Sequence, residues 1–116
     1  MSENHRATAI IPCRDLKVST AFYARLGLRV VSDHGRYLLL SDGRGWHLHL
    51  CAADWPGGVE DNPFGLYLYV DDVDAIAEQV RDSILSPGIP ERKPWGTYEF
   101  ALSDPDGVLV RVGRIT

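Results

Sequence analysis

His47 and His49 stand two residues apart in the run Trp46-His47-Leu48-His49-Leu50-Cys51. On an extended strand, residues two apart share a face. The two imidazoles therefore point the same way, together with Cys51 and away from Trp46, Leu48 and Leu50. Such a pair can bind a transition metal, line a groove or face solvent. By itself it falls short of the three or four donors that zinc, iron or manganese requires. His5 and His34 lie in terminal and turn segments and do not extend the set. The same alternation sets Tyr67 and Tyr69 against Leu66, Leu68 and Val70, and sets Leu109 and Arg111 against Val108, Val110 and Val112. The apolar sets pack under helices. The opposite set, His47, His49, Tyr67, Tyr69 and Arg111, lines the other side of the sheet. That side is either a groove for a flat or amphipathic ligand, where aromatic planes contribute about 0.5–1.5 kcal/mol each beyond area burial, or an ordinary solvated face.

Other reactive constellations are thin. Cys13 and Cys51 form no Cys-x-x-Cys pair and read as small buried hydrophobes in a reducing compartment. No Ser-His-Asp or Cys-His arrangement has motif support. Gly43-x-Gly45 reads as a hairpin turn rather than a phosphate loop. Glu99 is placed as a structural or ligand-contacting carboxylate rather than a general base.

The elements that must position these residues form two similar halves. In the first, Ala7-Thr8-Ala9-Ile10-Ile11 is a strand stopped at Pro12. Asp15 caps a helix over about 16–26, and Gly27 ends it. Strands follow near 28–33, 36–41 and 45–52, punctuated by His34-Gly35 and Asp42-Gly43. A Pro-, Gly- and Asn-bearing linker spans about 54–62. In the second half, Phe64 to Val70 is a strand, and Asp71 or Asp72 caps a helix. Val73, Ile76, Ala77, Val80 and Ile84 give that helix a continuous apolar stripe. The Pro-rich stretch from Ser86 to Pro94 is expected to hold little regular structure. Strands near 97–103 and 108–113 are joined by the Asp104-Pro105-Asp106-Gly107 turn. Strand–helix–strands thus occurs twice, with Asp15 and Asp72 about 57 residues apart.

Composition sets outer limits. The chain has 116 residues, 45% hydrophobic and 24% charged, as in one globular domain. No apolar run approaches the roughly 20 residues of a membrane span, and Met1-Ser2-Glu3-Asn4-His5-Arg6 carries no apolar signal core. A net charge of −4 argues against nucleic acid as the main partner. The expectation is a cytoplasmic protein with neither nucleic-acid nor membrane partners.

Several segments in order resemble the vicinal-oxygen-chelate superfamily, which includes glyoxalase I, extradiol dioxygenases and the bleomycin-resistance proteins. They are Ile11-Pro12-Cys13-Arg14-Asp15-Leu16, Ala21-Phe22-Tyr23-Ala24-Arg25-Leu26-Gly27, Tyr69-Val70-Asp71-Asp72-Val73-Asp74, Pro94-Trp95-Gly96 and Glu99-Phe100-Ala101-Leu102-Ser103-Asp104-Pro105-Asp106-Gly107. The Pro-Trp-Gly and Glu-Phe-Ala-Leu pieces are most similar to the bleomycin-resistance type. The resemblance implies an α+β fold: two βαβββ modules forming a curved mixed sheet with helices on its outer face. It implies one domain over 1–116, with modules at about 6–53 and 63–114. It also implies a homodimer with ligand crevices between subunits, in which the N-terminal strand is exchanged about a hinge at Pro12 or Pro12 merely ends the strand.

The superfamily's enzymes hold a divalent metal at four positions that match Thr8, His49, Gly65 and Arg111 here. Only His49 can readily ligate, and Arg111 is a fixed cation. The resemblance therefore implies metal-free, cofactor-free binding and sequestration of a bleomycin-type glycopeptide or another bulky aromatic antibiotic. Trp95 matches the tryptophan that packs on the drug's flat ring system, and Tyr67 and Tyr69 match further aromatic positions. Glu99 and Asp61 could offer carboxylates to a cationic tail. Ser32 stands where those proteins place a second stacking aromatic, and Tyr37 lies one strand further on. The candidate ligand set is thus Trp95, Tyr67, Tyr69, His49, His47, Tyr37, Glu99, Arg111, Ser32 and Asp61. Two alternatives remain open: a metal-dependent lyase, thiol transferase or dioxygenase using His47 and His49, and a non-catalytic interaction domain.

Overall fold

A computed structural model of the chain describes residues 5–116. The first four residues of the segment without a signal core lie outside the described residues. The chain divides into two compact units at Asp54/Trp55. Each unit carries the expected βαβββ pattern as a four-stranded mixed sheet with a helix.

The first unit runs β1 (Ala9–Cys13), α1 (Leu16–Ala24), β2 (Arg29–Asp33), β3 (Tyr37–Ser41) and β4 (His47–Ala52). Its sheet order is β1-β4-β3-β2, with β1 parallel to β4 and the other pairs antiparallel. Asp15 caps α1 as expected, accepting from the backbone N–H of Lys17 and Val18 at 3.0 and 3.3 Å, a contribution of about 1 kcal/mol. Gly27, at φ +91°, reverses the chain so that its own N–H and that of Leu28 reach the carbonyls of Ala24 and Tyr23. Ile11, Leu38, Leu40, Leu48 and Leu50 fill the buried side of the sheet together with Tyr23 and Leu28.

The second unit contains a 3-10 turn (Val59–Asp61), β5 (Gly65–Tyr69), α2 (Val73–Gln79), a second 3-10 turn (Arg81–Ser83), β6 (Glu91–Lys93), β7 (Thr97–Ser103) and β8 (Leu109–Ile115). The order is β5-β8-β7-β6, with β5 parallel to β8. Asp72 caps α2 through Ala75 N–H at 3.0 Å, and the helix packs on β7 and β8. Val110, Val112, Phe100 and Leu102 are buried on that side. Asp104 closes the β7–β8 connection by accepting from the N–H groups of Asp106 and Val108, both at 2.9 Å.

Three local expectations are corrected. Pro12 does not stop the first strand; it sits within β1, opposite Cys51. An edge strand tolerates proline because only one side of its backbone is paired. The Pro-rich stretch contains β6, which pairs with β7 as Glu91–Glu99, Arg92–Tyr98 and Lys93–Thr97. Both helices are shorter than their apolar patterns. α1 ends at Ala24, and α2 ends at Gln79 because Val80 leaves helical geometry (φ −126°, ψ 23°) while staying buried.

Candidate functional site

The order β5-β8-β7 places side chains far apart in sequence in continuous rows. Tyr67, Arg111 and Ala101 form one row, and Tyr69, Gly113 and Glu99 the next. Both rows lie on the face opposite α2, because the alternate residues Leu68, Val110, Val112, Phe100 and Leu102 are the buried ones.

Glu99 is the centre of this face. It is 2% exposed, and a carboxylate so placed is costly unless its oxygens are paired. Oε1 accepts hydrogen bonds from Thr97 Oγ1 at 2.5 Å, Tyr67 OH at 3.2 Å and Trp95 Nε1 at 3.4 Å. Oε2 faces Arg111 Nε at 3.4 Å. The absence of a side chain at Gly113 makes the cluster possible. A Cβ there would stand 2.6 Å from Glu99 Cβ and 2.7 Å from the Tyr98 carbonyl, and would strike the Tyr67 hydroxyl.

The aromatic groups surround that centre. The Tyr67 and Tyr69 rings lie 4.5 Å apart at 35°. Burial pushes the Tyr67 phenol above its ordinary pKa of 10.0; the Thr97 hydrogen bond opposes this, and the charge of Glu99 and the hydrogen bond to it add to it. Trp95 occupies the turn between β6 and β7, closed by Gly96 N–H on the Lys93 carbonyl at 3.1 Å. The residue is 65% exposed, with Lys93 Nζ 5.9 Å from the ring centroid. An open recess of about 520 Å³ is bounded by Tyr67, Tyr69, Trp95, Arg111 and Ile115. A smaller cavity of about 120 Å³ adjoins it, walled by Leu85, Pro87, Ile89 and Lys93. Trp95, Glu99 and Arg111 border both.

Five of the ten candidate residues, Tyr67, Tyr69, Trp95, Glu99 and Arg111, therefore meet in the second unit. Four more share one sheet face of the first unit. There Tyr37 OH and His49 Nδ1 are hydrogen-bonded at 2.8 Å, with rings at 72°. Ser32 lies in the same cross-strand row as His49, with its Oγ 2.8 Å from His34 Nε2. His47 is opposite Ser41. Asp61 lines neither recess; its carboxylate accepts from Gly58 N–H at 2.8 Å within its 3-10 turn. Sequence reasoning missed Thr97, Gly113 and the Leu85–Pro87–Ile89 wall. A glycine inside an alternating strand, as at Gly113, was the available signal of close approach.

The donor set does not fit a metal. Among the described residues, no three or more His, Cys, Asp or Glu side chains are grouped so as to hold one. The Arg111 position carries a guanidinium paired to Glu99, and Tyr67 rather than an acid stands beside it. No helix of the described residues is long and apolar enough to cross a membrane.

A doubled βαβββ unit with an aromatic-lined, acid-and-guanidinium recess on the sheet face opposite its helix defines the class. The chain belongs to the glyoxalase-like domain family, whose model matches residues 7–115, within the vicinal-oxygen-chelate superfamily. It is 32% identical to a bleomycin resistance protein of Klebsiella pneumoniae, over 92% of this chain and 90% of that one. A bleomycin-binding protein crystallised with bleomycin superposes with a TM-score of 0.82 at 30% identity, covering 97% of this chain and 100% of the other. A bleomycin resistance determinant encoded on the transposon Tn5 gives 0.83 at 29% identity, covering 97% and 98%.

Proposed function

We propose that this protein binds and sequesters a bleomycin-type glycopeptide or another bulky aromatic antibiotic, without a metal and without chemical change to the ligand. The observation that carries the reading is the exposed Trp95 plane beside Tyr67 and Tyr69, fixed over a recess of about 520 Å³. Stacking and burial in a largely preformed groove supply affinity. The similarity to a bleomycin resistance protein and to a bleomycin-binding protein supports the choice of ligand. On this reading the chain works as one domain over 1–116, as a homodimer in the cytoplasm, with Tyr37, His47, His49 and Ser32 as further ligand-facing residues.

The test is a tryptophan-fluorescence titration with bleomycin. Binding to the wild-type protein is expected, with affinity at least tenfold weaker in Trp95→Ala, equivalent to about 1.4 kcal/mol. Unchanged affinity in a folded Trp95→Ala protein removes the role assigned to that indole.

A further inference from the structure

The charges of the recess are unequal in what they leave available. Glu99 is 2% exposed, and both of its oxygens are engaged. Glu91 is paired with Lys93 at 2.5 Å. Arg111 is different: its side chain is 43% exposed, and its guanidinium has one polar partner among the described residues, Glu99 Oε2 at its Nε. A guanidinium carries five N–H donors in a planar fork, so one contact leaves donors for a ligand. Its cross-strand neighbours are Tyr67 and the small Ala101, and it borders both cavities. The buried Glu99 orients the fork from behind, so the pair presents its positive end outward. A ligand cation finds no unengaged carboxylate here, whereas an acceptor oxygen finds donors beside aromatic planes.

We infer that this recess selects planar aromatic ligands bearing an acceptor oxygen, a carboxamide or carboxylate, and that Arg111 is the residue that determines this specificity. The inference rests on the ligand-binding reading of the same recess and narrows it. Glu99 acts through Arg111 and is a positioning residue rather than a ligand contact. The oxygen-bearing edge lies against the guanidinium while the ring system lies against Trp95 or the tyrosine pair.

The test compares three small probes at pH 7 by calorimetric titration: 2-naphthoate, naphthalene-2-carboxamide and 2-naphthylmethylammonium. Both acceptor-bearing probes are expected to bind wild-type protein at least tenfold more tightly than the ammonium. In the double variant Glu99→Gln/Arg111→Gln, which removes both charges together, the preference is expected to fall below threefold. Arg111→Lys keeps the charge and loses the fork, so the carboxamide is expected to lose at least fivefold. Equal or reversed ranking in the wild type, or no binding of any naphthalene probe, overturns the inference; so does an unchanged preference in a folded double variant. If the double variant does not fold, the wild-type ranking and Arg111→Lys decide. Bleomycin, titrated alongside, separates the two levels. Binding of bleomycin without a probe preference retains the sequestration reading and overturns this inference. A preference for the acceptor-bearing probes with no response to bleomycin retains this inference and removes bleomycin as the sequestered ligand.

Discussion

The indole of Trp95 meets Glu99 edge-on, its Nε1–H donating to Oε1 at 3.4 Å, while the residue remains 65% exposed. A tryptophan on a turn would ordinarily sample several rotamers and lose that freedom on binding, at roughly 0.5–1.5 kcal/mol for an immobilised side chain. Here one edge is held by a carboxylate that Thr97, Tyr67 and Arg111 hold in turn. The stacking plane is thus partly prepaid in orientation before any ligand arrives.

Glu99→Gln tests that arrangement. Glutamine keeps an oxygen for the three donors but sets an amide against Arg111, leaving a half-satisfied network. A loss of about 1–3 kcal/mol in stability is expected, read as a lower urea midpoint, together with a shift in Trp95 emission. An unchanged midpoint contradicts the central place given to this carboxylate.

Gly113→Ala brings a methyl group against Glu99 Cβ, the Tyr98 carbonyl and the Tyr67 hydroxyl. Because one of those neighbours is backbone, the strain cannot be relieved by a rotamer change alone. Overpacking of this kind costs about 1–3 kcal/mol. Thermal melting followed by circular dichroism should show it, and the tyrosine ring signals in the near-ultraviolet spectrum should weaken.

Alkaline titration addresses Tyr67. Its phenol is raised, chiefly by burial, so the folded state holds the proton more tightly than the unfolded state. The associated stability is fully present below the unfolded value of about 10 and is lost as pH rises through the higher folded value. Absorbance at 295 nm should reveal late-ionising phenols, one of which disappears in Tyr67→Phe. Tyr98, raised chiefly by its hydrogen bond to Asp74, accounts for another and should disappear in Tyr98→Phe.

Chelation distinguishes binding protein from metalloenzyme. His49 has Tyr37 as its hydrogen-bond partner, and Arg111 has Glu99, so EDTA treatment should leave bleomycin affinity unchanged within twofold. Elemental analysis of protein purified without chelator should find far less than one transition metal per chain. Stoichiometric metal that is lost in His49→Ala would reverse the assignment.

Local signals carried much of the fold. Asp15, Asp72 and Gly27 mark helix ends because capping and chain reversal depend on single residues, and alternation assigned the two faces of β4, β5 and β8 correctly. β6 escaped because Glu91-Arg92-Lys93 has no apolar alternation and owes its strand form to pairing with β7. Tyr67, Tyr69, Trp95, Glu99 and Arg111 could be named individually from their types and from family resemblance. Their mutual contacts could not, because Tyr67 and Glu99 lie 32 residues apart and meet only through the order β5-β8-β7. Thr97 and Gly113 were invisible for the same reason: their value lies in what stands next to them.

The parallel pairing within each unit has a consequence for synthesis. Among the described residues, β1 is paired only with β4, and β5 only with β8, the last strand of its unit. On the ribosome, the first unit therefore has all its strands once Ala52 has emerged, before any of the second unit's strands has emerged. β5 must wait through more than forty residues of translation for Leu109–Ile115. During that interval Leu66 and Leu68 belong to a strand without a neighbour, a window in which a nascent chain is open to wrong pairing. Released chains truncated before Leu109 should be protease-resistant over the first unit and cut freely through the second.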